Sequence, residues 1–103
     1  MTNTKDIYVT ITGCGHYQGT EMLRPGVKVK LVRDEDNEYD DEAIAVKSLT
    51  NVMLGYVANS VHTVARGTHS AGWMCAIVED HVKAEVMFTL HGTVIARILE
   101  DVE

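Results

Sequence analysis

The sequence predicts a mainly β domain, a small α+β fold in which six or seven short strands and one or two short helices curl into a closed or nearly closed barrel. Three observations lead there. Apolar and polar residues alternate with a period of two in several runs rich in β-branched residues. Glycine and turn-forming residues interrupt those runs at short intervals. A chain of 103 residues has material for one core, and short strands around a single core lose their exposed edges by closing on themselves.

In the first run, Asp6 to Thr12, Ile7, Val9 and Ile11 alternate with Tyr8, Thr10 and Thr12, which reads as a half-buried strand. Residues 13–26 carry four glycines and the only proline, so neither helix nor ladder propagates and a long loop is expected. Val27, Val29 and Leu31 against Lys28 and Lys30 give a second strand to about Arg33. An acidic connection follows, and Ile44 to Val46, Leu49-Thr50-Asn51 and Val52 to Val57 read as a hairpin of strands three and four. Asn59 or Ser60 is suited to cap a two-turn helix with Val61, Val64 and Ala65 on one face, stopped by Gly67. Trp73 to Glu79 and Ala84 to Leu90 are β-prone, with Glu79 to Lys83 as a polar turn between them. Thr93 to Leu99 fits a returning strand, with a helix as the rival because Ile95, Ile98 and Leu99 also suit helical spacing.

Composition narrows the function classes. With 46% hydrophobic and 23% charged residues the chain has a globular composition, expected to fold as one domain over residues 1–103. A net charge of −6 opposes generic nucleic-acid affinity, which comes from cations neutralising phosphates. The acidity is local: Asp34 to Glu42 holds seven of the fifteen carboxylates, and the rest of the chain has nine basic residues against eight acidic. The N-terminal segment lacks a signal-peptide pattern and no apolar run is long enough to span a membrane, so a cytoplasmic location with no membrane partner is expected. Cys14 and Cys75 lie 61 positions apart and are read as reduced thiols. A domain this small buries a modest fraction of its surface, which leaves a homo-oligomer open.

The order of motifs from the first loop to strand four is informative. Gly15-His16-Tyr17-Gln18-Gly19 is followed by Leu31-Val32-Arg33, Asn37-Glu38-Tyr39-Asp40, Ala43-Ile44-Ala45-Val46 and Gly55-Tyr56-Val57. This ordered set, over roughly residues 6 to 90, resembles the HIRAN domain family, and the chain looks like its free-standing bacterial kind, with residues 91–103 as a C-terminal extension. The resemblance implies an OB/SH3-like β-barrel. In eukaryotic SWI/SNF-type translocases the domain binds the three-prime end of single-stranded DNA, so the resemblance implies a single-stranded DNA end as partner here.

On that pattern Tyr39 and Asp40 take the terminal nucleotide, the ring stacking on a base and the carboxylate accepting from the free hydroxyl that only an end possesses. His16, Tyr17 and Tyr56 match positions lining the same surface. The alternative is that Tyr39 packs while Asn37 and Asp40 structure the loop through Asx-type hydrogen bonds. Two basic residues of the DNA-binding members are missing, with Gly15 and approximately Asn59 at their positions. Lys28, Lys30 and Lys47 are the substitute candidates for phosphate contacts, against simple solvation of a strand face.

Other chemistries fit poorly. Asp34, Asp36, Glu38 and Asp40 have the first spacings of a calcium loop, but Tyr39 stands where glycine is required and Ala45 where the bidentate glutamate belongs. Cys14 and His16 find no second ligand pair at zinc spacing, and no base and orienting group can be matched to Cys14. The spacing of Gly13, Gly15 and Gly19 is not a phosphate-binding fingerprint. No metal, cofactor or catalytic residue is expected. The rival to DNA binding is a protein-interaction or self-assembly module, with the apolar stretch Thr93 to Leu99 as its interface.

Overall fold

The computed structural model describes residues 7–13, 22–34, 37–38, 42–60, 62–90 and 93–99. Six antiparallel strands, β1 (Tyr8–Thr12), β2 (Lys28–Arg33), β3 (Ile44–Ser48), β4 (Met53–Val57), β5 (His81–Leu90) and β6 (Thr93–Ile98), form a closed barrel in the order β1-β4-β3-β2-β5-β6. A five-residue helix, α1 (Ala71–Cys75), precedes β5. Among the described residues no helix is long and apolar enough to cross a membrane.

The period-two pattern sets which side chains point inward. Val9 and Ile11 of β1, Val29 and Leu31 of β2, Ile44 and Val46 of β3, and Val86 of β5 are fully buried. Leu54 from β4 and Ile98 from β6 complete the interior, and Met74 packs into it from α1. In the hairpin joining β3 to β4, Asn51 takes a left-handed conformation at φ 73, which asparagine tolerates better than most residues. The buried Ser48 hydroxyl holds that turn by accepting from the amides of Thr50 at 3.2 Å and Val52 at 2.9 Å.

Three expectations are corrected. The helix expected from Asn59 to Gly67 is replaced by turns over its described residues, because this segment and the residues flanking it are tied to β1. Ala58 N donates to Thr10 O at 2.7 Å, Ala65 N to Thr10 Oγ1 at 3.1 Å and His69 N to Tyr8 O at 2.8 Å. Gly67 does adopt the left-handed conformation, at φ 90. The β-prone stretch from Trp73 begins inside α1, where the Ser70 hydroxyl accepts from Trp73 N at 3.2 Å and Ala71 and Met74, three apart, reach the core. Strand β5 starts at His81 inside the expected polar turn, since Val82 and Ala84 already point inward between Lys83 and Glu85.

The 93–99 ambiguity resolves as a strand. Tyr8 to Ile11 pair with Arg97 to Val94 on one side of β6, and β5 pairs on the other. Val94, Ile95, Ala96 and Ile98 are buried, so this segment closes the barrel and is not an exposed apolar tail. Removing it opens the wall on two strands. A chain ending at Leu90 is expected to show no cooperative thermal transition by circular dichroism; a sharp native-like transition would contradict the closure. Leu54→Ala, at a fully buried position, is expected to cost about 2–5 kcal/mol in urea unfolding.

Candidate nucleic-acid interface

Strand register places outward-facing residues in rows across the sheet. Thr12, Tyr56, Ala45, Val32 and His81 are successive partners across β1, β4, β3, β2 and β5. Tyr56 is half-buried, and its hydroxyl donates to Asp34 Oδ2 at 3.0 Å just past the end of β2. The same oxygen accepts from Asn37 Nδ2 at 3.3 Å, and Asn37 N donates to Asp34 O at 3.2 Å. Asp34 N in turn donates to Ala43 O at 2.9 Å, which ties the start of the acidic connection to the residue before β3.

These contacts border a shallow hollow of about 240 Å³ lined by Val32, Arg33, Asp34, Ala45, Lys47, Met53 and Tyr56. With Asp34 Oδ2 engaged by Tyr56 and Asn37, an apolar floor of Val32, Ala45 and Met53, one fixed tyrosine and two cations against that one carboxylate can take a planar group and an anion together. That is the chemistry of a nucleotide, with its flat base and its phosphate.

The expected site residues divide unevenly. Tyr56, Asn37 and Lys47 come together around this hollow, Asn37 through Asp34. Lys30 stands beside Lys47 in the next row, and Lys28 lies farther along β2, opposite Glu85. His16, Tyr17, Tyr39 and Asp40 lie outside the described residues, as does Cys14. Cys75 donates its thiol to the Glu42 carbonyl at 3.3 Å. Among the described residues no cluster of histidine, cysteine and carboxylate side chains is arranged to hold a metal.

Asp34 and Arg33 are the residues that sequence reading undervalued. Asp34 stands in a run of carboxylates that hides it, although Asp and Asn side chains each favour turns. Asn59 has a structural task. Its Oδ1 accepts from Gly72 N at 2.9 Å and its Nδ2 donates to Glu42 Oε1 at 3.1 Å, joining α1 to the end of the acidic connection.

A larger concave region sits on the other side of the barrel, where β6 lies across from β3. This cleft, about 570 Å³, runs between the 65–68 turn and the β5–β6 hairpin; Tyr8, Met87, Phe88 and Ile95 form its apolar wall. Phe88 is 54% exposed, beside the bulge that Met87 introduces into β5. Nearby, Trp73 stacks on His69 with ring centroids 3.7 Å apart.

A small closed antiparallel barrel with an aromatic hollow on its outer face is the frame of the chain. The HIRAN domain family matches residues 4–88, and the chain belongs to that family. A crystal structure of a Lactobacillus plantarum protein, determined as a structural genomics target, is similar in fold, with a TM-score of 0.56 and 24% identity over 91% of this chain and 93% of that one. No curated protein matches the chain.

Tyr56→Phe, which removes the donor to Asp34, is expected to lower stability by about 0.5–1.5 kcal/mol in urea unfolding. Asn59→Ala, which strips Gly72 N and Glu42 of a partner each, is expected to cost about 1–2 kcal/mol in the same assay. An unchanged midpoint for Asn59→Ala would mean that the tie between α1 and Glu42 carries no energy.

Proposed function

We propose that the protein is a non-catalytic nucleic-acid-binding module that recognises the end of single-stranded DNA. Membership of the HIRAN family carries this reading. The hollow at Tyr56 supports it: a half-exposed ring with its hydroxyl fixed by Asp34 offers a stacking surface at little entropic cost, and Arg33 and Lys47 supply local cations in a chain of net charge −6. Tyr39 and Asp40, two and three residues beyond Asn37, are proposed to hold the terminal nucleotide, with His16 and Tyr17 as further lining groups. Asp40 would accept from the three-prime hydroxyl, and a terminal phosphate would bring a second anion against it.

The test is fluorescence anisotropy with short single strands carrying a three-prime hydroxyl or a three-prime phosphate. Tighter binding of the hydroxyl strand is expected, with the preference lost in Asp40→Ala at unchanged fold. Equal affinity for both strands in the wild type sinks the end-recognition reading.

The protein-interaction reading draws on one observation, the apolar cleft with exposed Phe88, since the β6 segment is part of the barrel wall. If that cleft joins two copies, light scattering on the full chain gives a dimer mass that Phe88→Asp reduces to a monomer. A monomer in both proteins removes self-assembly.

A further inference from the structure

The outer face of the barrel carries two adjacent rows of charge with opposite logic. In one, Lys28 stands opposite Glu85, and Glu85 stands opposite Arg97, with Arg97 Nη2 3.8 Å from Glu85 Oε1. Signs alternate there, as cross-strand pairing favours. In the next row Lys30 has Lys47 of β3 directly opposite on one side and Lys83 of β5 directly opposite on the other. Like charges in direct opposition destabilise a sheet, and among the described residues no carboxylate pairs with any of the three. Glu85, the one carboxylate that register sets on these strands, is placed in the neighbouring row and not in this one.

We propose that Lys47, Lys30 and Lys83 form a track for the backbone phosphates of a bound single strand, running from the Tyr56 hollow across β3, β2 and β5. The hollow and the row share Lys47, so a strand whose base sits on Tyr56 has its backbone delivered to the first lysine. Adjacent strands lie about 4.8 Å apart, so the three positions span roughly 10 Å perpendicular to the β-strands. Lys30 and Lys47 are half-buried, their stems lying on the sheet, and Lys83 is exposed at the far end. The row supplies local cations in a chain of net charge −6. This inference rests on the single-strand reading above but not on recognition of the end.

The experiment measures anisotropy against salt for wild type, for the triple variant Lys30→Gln/Lys47→Gln/Lys83→Gln, for the same three positions changed to arginine, and for Arg66→Gln on the opposite wall. Each uses hydroxyl-ended and phosphate-ended strands and a blunt duplex. The glutamine variant is expected to lose affinity for both strands and to flatten the slope of log affinity against log salt by about two units, about 0.7 for each phosphate contact removed. The arginine variant and Arg66→Gln are expected to keep the wild-type slope. Relief of like-charge repulsion should leave the glutamine variant's melting temperature unchanged or higher, which separates lost binding from lost fold. An unchanged slope in the glutamine variant overturns the track, as does absence of wild-type binding to either strand. Equal, equally lysine-dependent binding of the duplex overturns its single-strand form. Equal binding of the two strand ends in the wild type defeats end recognition while the track stands.

Discussion

Closure of the sheet depends on β1, which must be satisfied on two sides. Its pairing with β6 runs over four residues, Tyr8 to Ile11, whereas its pairing with β4 is limited to Ile11 with Val57 and Thr12 with Tyr56. The remaining backbone on the β4 side is met by the segment after β4. His69 N reaches Tyr8 O, Ala58 N reaches Thr10 O, and the buried Thr10 hydroxyl binds both Ala65 N and Thr68 Oγ1, the last at 2.8 Å. An unpaired β1 edge would leave polar backbone groups beside a dry core, at a cost comparable to a lost hydrogen bond for each. The short seam and the long covering segment are therefore one device.

That closure fixes the geometry of the outer surface. Because β4, β3, β2 and β5 are held in one register, Tyr56 lies in line with Ala45 and Val32, and the lysines of three strands share the neighbouring row. The bulge between Val46 and Lys47 brings Met53 opposite Lys47, which gives the hollow its third apolar side chain. A one-residue slip of β3 against β2 would turn Lys47 inward and Val46 to solvent, so burial of the core enforces the arrangement of the surface charges.

Much of the wall was legible because alternation reports which side faces the core. Val9 and Ile11, Val29 and Leu31, and Ile44 and Val46 were assigned to strands from pattern alone, and all are buried. The structure departs from the sequence pattern at Asn59 to Gly67 and again from Trp73. Asn59 and Gly67 are sound helix-terminating residues, yet long-range hydrogen bonds to Tyr8 and Thr10 outcompete a local helix. Trp73 to Val78 has β propensity, yet the Ser70 cap and the spacing of Ala71, Met74 and Val78 on the core favour a helical turn. Of the candidate site, the family pattern marked Tyr56. Its partner Asp34 comes from 22 positions away, a pairing only the folded chain reveals. Of the lysine row, Lys30 and Lys47 are candidates on the sequence alone, but only register sets Lys83 beside Lys30 and places Lys28 in the next row, opposite Glu85.

The engagement of Asn59 limits what this position can carry. A side chain that accepts from one backbone amide and donates to a carboxylate cannot be exchanged for an ammonium group, which only donates. A lysine placed at this position would leave the Gly72 amide without that acceptor, and its charge would be drawn to Glu42 instead of a phosphate. Placing a cation here would therefore require rebuilding the junction between the acidic connection and α1, a change to the frame and not to a single contact.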